Sequence, residues 1–128
     1  MEVNKPNVVA EVSDAFARYE KALVTNDVQT LDELFWNSPH TIRYGATENL
    51  YGYAEIMAFR ASRPSAGLMR VQVRPEITTF GDDYAVTNTM FTRETAPGKI
   101  GRQSQTWVRL PQGWRIVAAH VSVIEGKP

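Results

Sequence analysis

Residues 99–125 have the sequence KIGRQSQTWVRLPQGWRIVAAHVSVIE, in which two runs rich in β-branched and aromatic residues, Lys99–Leu110 and Gly113–Glu125, flank Pro111-Gln112. This pattern predicts two strands joined by a tight turn. Met69–Phe80 and Asp83–Glu94 have the same character, and Gly81-Asp82 and Pro97-Gly98 mark the turns around them. The predicted strands have about ten residues where roughly five or six is usual, so we expect an antiparallel meander that curves strongly.

The last predicted strand has two largely apolar faces, which indicates a central position in the sheet. Strict alternation places one set of side chains on one face: Trp114, Ile116, Ala118, His120 and Ser122. It places the other set opposite: Arg115, Val117, Ala119, Val121 and Val123. The pattern leaves open which face points inward. His120, between small residues, is either at a pocket floor or a buried histidine satisfied by backbone or by a partner subunit.

The first half of the chain is predicted to be helical. Val8, Val12, Phe16, Tyr19 and Leu23 recur every three or four residues and therefore share one helix face. Pro6 suits the first turn of this helix, and a polar break at 25–27 ends it. Further predicted elements are a helix at Val28–Trp36, a short strand at Thr41–Ala46, a turn at Glu48–Gly52 and a helix at Tyr53–Ser62.

Helices followed by an antiparallel sheet indicate an α+β fold, with the amphipathic helices against the concave side of the sheet. The chain of 128 residues is close to the usual size of one domain, and we expect a single domain over residues 1–128.

Composition excludes several functional classes. The 14 basic residues balance 14 acidic ones, which argues against a general nucleic-acid binder or an anionic-membrane binder. There is no cysteine, and the two histidines, His40 and His120, are far apart, so we expect neither a metal site nor a cofactor. Met1–Pro6 has no apolar run and no segment is long enough to span a bilayer, which makes the cytoplasm the expected compartment.

Two side chains are candidates for chemistry. Tyr19 lies on the apolar helix stripe, and a buried phenol needs a hydrogen-bond partner. Helix phase alone favours the alternative, in which the ring packs and the hydroxyl reaches water. Arg43 alternates with Ile42 and Tyr44, so it is either solvated or, on a concave face, able to anchor an acidic substrate. The polar run at Gln103, Ser104 and Gln105 indicates a pocket lining or a hydrogen-bonded interface.

Four segments carry a resemblance to known proteins: Ala15–Leu23, Leu31–Trp36, Glu48–Gly52 and Gly101–Arg109. With the predicted order of elements, they make the chain similar to the small AtzH/HpxZ-type proteins. These belong to the nuclear transport factor 2 and ketosteroid isomerase superfamily, whose fold is a cone of three helices on a strongly curved sheet. The fold alone is compatible with many activities.

The resemblance implies a cofactor-free amidase step on a small carboxylated urea, 1,3-dicarboxyurea, that gives allophanate in the breakdown of nitrogen-rich acids. The family's proposed catalytic tyrosine and arginine fall on Tyr19 and Arg43. We regard His120, Arg102 and Gln103 as further candidates for orienting the substrate.

Other hypotheses remain open at this point. They are a non-catalytic, carboxylate-binding partner of an amidase-signature enzyme, and a decarboxylase of the same substrate. A homodimer is expected, with Val117, Val121 and Val123 supplying an apolar convex face.

Overall fold

The computed structural model describes residues 1–128 and has the predicted α+β architecture. The helices are α1 (Pro6–Val24), α2 (Val28–Leu34) and α3 (Tyr53–Ser62). The strands are β1 (Ile42–Tyr44), β2 (Asn49–Tyr51), β3 (Val71–Phe80), β4 (Tyr84–Thr92), β5 (Lys99–Leu110) and β6 (Gly113–Glu125). None of the helices combines the length and the apolarity that crossing a membrane requires.

All six strands form one sheet in the order β2-β1-β6-β5-β4-β3. The predicted meander β3–β6 is confirmed, since each consecutive pair in it is antiparallel. β1 lies parallel to β6 and antiparallel to β2. Register shifts in β3 and in the β5–β6 pair mark bulges, which bend a sheet and increase its twist. The helices close the concave side of this curved sheet.

The core fills one end of the cone. The predicted stripe of α1 is buried, as expected from its spacing. It packs with α2 side chains and with the fully buried Trp107 and Ile116 of the sheet. This burial holds α1 across the sheet and so fixes the position of Tyr19 on its last turns.

Two boundaries differ from the sequence prediction. α2 ends at Leu34 rather than Trp36, because Phe35 is extended and forms a bridge to Ile116 of β6. The predicted turn at 48–52 contains the short strand β2, which pairs with β1. A strand of three residues is too short for periodicity to reveal it.

Strict alternation along β6 was wrong. Trp107 of β5 pairs with Ile116, but its neighbour Thr106 pairs with Ala118, which leaves Val117 as the extra residue of a bulge. A bulge of one residue reverses which side chains face inward beyond it. Trp114 and Ile116 therefore share the concave face with Ala119 and Val121, the cross-strand partners of Gln105 and Gln103.

Candidate functional site

The open end of the cone contains a cavity of about 270 Å³, a size suited to a small molecule. Helices α1 and α3, the β1–β2 connection, the segment before β3 and strands β4 to β6 all contribute to it. Its lining residues are Tyr19, Leu23, Arg43, Ala46, Glu48, Phe59, Arg63, Gly67, Leu68, Arg70, Phe91, Arg93, Gln103 and Val121. Four of these are arginines, so the charges around each one decide what the cavity can bind.

Tyr19 reaches the cavity from α1. Its side chain is almost fully buried, and its ring lies 6.3 Å from that of Phe35, measured between centroids. Tyr19 lines the cavity, and no protein group forms a hydrogen bond with its hydroxyl. A phenol held in this way can donate a hydrogen bond or a proton to a bound molecule.

Arg43 reaches the cavity from β1, where it pairs with Ala119 on the concave face of the sheet. Its Nη1 donates to Oε1 of Glu48 at 2.8 Å. Burial alone would raise the pKa of Glu48, but hydrogen bonds from Thr47 and Arg43, together with the Arg43 charge, hold that pKa below its ordinary value. Glu48 is therefore a carboxylate that neutralises Arg43.

Gly45 has no side chain, and the ion pair of Arg43 and Glu48 occupies the space that a side chain would fill. A Cβ atom at Gly45 would lie 1.7 Å from Oε1 of Glu48 and 3.0 Å from Nη1 of Arg43. Any larger residue would displace the Glu48 carboxylate or the backbone.

Arg70 is also neutralised within the protein. Its Nε donates to Oε2 of Glu20 at 2.9 Å and its Nη2 donates to Oε1 at 2.7 Å, which is the two-point geometry of a strong guanidinium–carboxylate pair. Nη2 also donates to Oε1 of Gln103 at 3.1 Å. These bonds fix the orientation of the Gln103 amide.

Arg63 and Arg93 form no ion pair. Nε and Nη2 of Arg63 and Nε of Arg93 are buried without a hydrogen-bond partner in the protein, as is Nε2 of Gln103. Burial lowers the pKa of both guanidiniums, and neighbouring arginines lower it further, Arg60 for Arg63 and Arg70 for Arg93. Buried donors of this kind are costly until an acceptor reaches them, so this side of the cavity favours an anion.

Phe91 supports the arginines on the β4 side. The guanidinium carbon of Arg70 lies 4.3 Å from the ring centre and that of Arg93 lies 4.8 Å from it. Gly101 pairs with Phe91 across the β4–β5 ladder, and a Cβ atom there would lie 2.0 Å from the ring. The glycine thus makes room for the aromatic surface on which these two side chains rest.

The model of a protein family described as AtzH-like matches residues 1–127. The chain belongs to the AtzH-like family. It is 61% identical to a DUF3225-family protein of unknown function from Pectobacterium atrosepticum, whose crystal structure is known. The two structures match with a TM-score of 0.94 over 96% of this chain and 95% of that chain. A cystatin-like fold protein from Burkholderia xenovorans is 48% identical with a TM-score of 0.94, covering 100% of this chain and 99% of that chain.

The fold of this AtzH-like chain is the nuclear transport factor 2-like, cystatin-like fold. A nuclear transport factor 2-like superfamily protein from Salmonella enterica has a TM-score of 0.71 at 24% identity, over 95% of this chain and 93% of that chain. At this identity the likeness shows the fold alone. The comparison with curated proteins finds no match.

The structure brings together Tyr19, Arg43 and Gln103 of the AtzH-like chain in one cavity. His120 and Arg102 do not line this cavity, so their predicted place in the site is wrong. Arg102 alternates with Gln103 and is exposed on the convex face, where its Nε donates to Oγ of Ser122 at 3.1 Å. The Val117 bulge places His120 on the same face.

The convex face near His120 has a hollow lined by Ile42, Tyr44, Ser104, Thr106, Ala118, Ala119 and His120. The rings of Tyr44 and His120 pack edge to face at 5.9 Å. Val121 does not belong to this face, because it lines the cavity, and Val123 pairs with Gly101 on the concave side. Val121 and Val123 therefore do not lie on the convex face as predicted, while the homodimer itself stays a prediction.

Sequence reasoning missed Arg63, Arg70, Arg93, Glu48 and Phe91. The one available signal was composition, because ten of the 14 basic residues are arginine. Composition does not say which arginines lack a carboxylate partner. Glu20 lies 50 positions from Arg70 in the chain, and only the fold brings the two together.

Proposed function

We propose that this protein is a cofactor-free amidohydrolase that acts on a small carboxylated urea such as 1,3-dicarboxyurea and gives allophanate. The observation that carries the proposal is the pair of unneutralised guanidiniums, Arg63 and Arg93, in the same cavity as Tyr19 and Arg43. A cavity of this size and charge suits a small acid with many acceptor oxygens. Membership of the AtzH-like family supports the same substrate class.

The reaction breaks the bond between a terminal carboxyl carbon and its nitrogen. Water adds its oxygen to that carbon, the carbon–nitrogen electron pair goes to nitrogen, and a proton reaches the nitrogen. The dianion and one water give the allophanate monoanion and one bicarbonate, so atoms and charge balance.

Two side chains have distinct roles in this scheme. Arg43 stabilises the negative charge that grows on the carboxyl oxygens as water adds. Tyr19 donates a hydrogen bond or a proton to the departing nitrogen, because its hydroxyl has no competing partner in the protein. Water itself is the attacking group.

Decarboxylation is a second candidate, and one observation favours it. The cavity has no histidine, and Glu48, its only lining carboxylate, is held ionised with a lowered pKa by Thr47 and Arg43, which makes it a weak base for activating water. Loss of CO₂ from the dianion needs one proton on the nitrogen and no base, and it also gives allophanate. Tyr19 is the proton donor in this route as well.

The direct test follows ¹³C-labelled 1,3-dicarboxyurea by NMR with the purified protein and with Tyr19→Phe. We expect faster allophanate formation than in buffer and a loss of about 100-fold in the variant, the usual contribution of a general acid. Tyr84→Phe is the matched control, since Tyr84 is an exposed tyrosine of β4 that does not line the cavity. A fully active Tyr19→Phe would contradict the role of the phenol.

The same sample separates the alternatives. In ¹⁸O-labelled water, hydrolysis puts the label into the first bicarbonate formed, whereas decarboxylation releases unlabelled CO₂. An unchanged rate with every variant would instead support the non-catalytic, carboxylate-binding partner of an amidase-signature enzyme.

A further inference from the structure

The four arginines of the cavity divide into two groups by their partners. Glu48 neutralises Arg43 and Glu20 neutralises Arg70. Arg63 and Arg93 have no carboxylate within ion-pairing distance, so the cavity carries two positive charges in excess. Two excess charges in one small cavity match a ligand with two negative charges better than a ligand with one.

The cationic groups also come from opposite sides of the cavity. Arg43 lies on β1 and Arg93 follows β4, three strands away in the order β1-β6-β5-β4, and both side chains line the cavity. Gln103 of β5 and Val121 of β6 line the floor between these strands. A ligand in this cavity therefore has a guanidinium on each side of it.

We infer that Arg63, Arg93 and Gln103 form a second carboxylate subsite, an inference that rests on the proposed function. This subsite makes the cavity select small dicarboxylates over monocarboxylates. Each contributes at least one buried donor without a protein acceptor: Nε and Nη2 of Arg63, Nε of Arg93 and Nε2 of Gln103. Gln103 is 3% exposed, and its Oε1 is fixed by Arg70, which determines where its amide nitrogen lies.

Phe91 is the positioning residue of this subsite. Without such support, a half-buried arginine that has no carboxylate partner would extend its guanidinium toward water. The Phe91 face instead holds the Arg93 guanidinium beside Arg70, despite the like charge of Arg70. Gly101 preserves the space for the ring in this position.

The subsite also accounts for release of the product. 1,3-Dicarboxyurea carries a carboxylate at each end and occupies both sides of the cavity. Allophanate has lost one of the two carboxylates, so it leaves the donors of one side without an acceptor. The reaction itself therefore weakens binding at the moment when the product must depart.

The test measures the binding of two unreactive acids, glutarate and butyrate, by calorimetry. Glutarate differs from butyrate only by a second carboxylate at the far end of the same carbon chain. We expect glutarate to bind at least about tenfold more tightly than butyrate, as two-point carboxylate recognition predicts. Arg63→Gln and Arg93→Gln should each weaken glutarate by about tenfold while butyrate changes by less than about threefold. Arg74→Gln is the matched control, because Arg74 is an exposed arginine on β3, away from the cavity.

Equal affinity for the two acids, no detectable binding of either, or parallel losses for both in Arg93→Gln would overturn the inference. Arg93→Lys serves where Arg93→Gln fails to fold, and it should retain part of the preference for glutarate because it keeps the charge. Turnover is measured separately. Selective glutarate binding without turnover would support the subsite and contradict the amidase activity. Turnover without selective binding would support the activity and contradict the subsite.

Discussion

The two ends of the cone are built on the same strands but differ in whether buried charged groups have partners. At the closed end, Nε1 of Trp107 donates to Oγ1 of Thr87 at 3.0 Å, and Nε1 of Trp114 donates to Oε1 of Glu11 at 2.9 Å. At the open end, the buried donors of Arg63 and Arg93 have no acceptor in the protein. One end therefore stabilises the fold, while the other carries positive charge that no group of the protein balances.

The largest effect on stability is expected at the closed end. Trp107 is fully buried between the helices and the sheet, so Trp107→Ala removes a large apolar surface and leaves a cavity. We expect the free energy of unfolding to fall by about 4 kcal/mol, measured by urea denaturation. A loss below about 1 kcal/mol would show that this end does not carry the fold.

An intermediate effect is expected at Gly101, which pairs with the cavity-lining Phe91 across the β4–β5 ladder. Gly101→Ala forces the Phe91 ring to move, since the added Cβ would lie 2.0 Å from it. We expect a loss of about 1–3 kcal/mol in unfolding free energy, together with weaker glutarate binding.

The double variant Gly101→Ala with Phe91→Leu separates these two consequences. It relieves the clash and should regain stability, but it should not regain glutarate affinity, because leucine offers no aromatic face to Arg93. Full recovery of affinity would contradict the positioning role of Phe91.

A smaller effect concerns the neutralised side of the cavity. The pKa of Glu48 is held below the ordinary value of 4.5, so its contribution to stability is present above pH 4.5 and is lost as the pH falls through the lower folded value. The stability difference between the wild type and Glu48→Gln should be under about 1 kcal/mol at neutral pH and should vanish in acid. A difference that grows on acidification would contradict the assigned ion pair with Arg43.

The sequence predicted one end of the cone better than the other. The spacing of Val8, Val12 and Phe16 located α1, because a helix buries every third or fourth residue whatever it packs against. The bulge at Val117 had no sequence signal, and it decided that Val121 rather than His120 faces the cavity.

The charges of the site were harder to predict for a different reason. Whether an arginine is neutralised depends on pairs such as Arg70 and Glu20, which are distant in the chain. Tyr19 and Arg43 were found through helix phase and family resemblance, whereas Arg63 and Arg93 differ from other arginines only in what surrounds them.

We propose that the open end is a cationic site whose unpartnered donors a small dicarboxylate satisfies. Thermal unfolding of the wild type and of the double variant Arg63→Met with Arg93→Met, each with and without glutarate, tests it most directly. Without glutarate, the double variant should be more stable by about 1 kcal/mol, because it buries no unpartnered guanidinium. With saturating glutarate, only the wild type should gain stability, and the order should reverse. A double variant that is less stable without glutarate, or a wild type that glutarate does not stabilise, would show that Arg63 and Arg93 do not form this site.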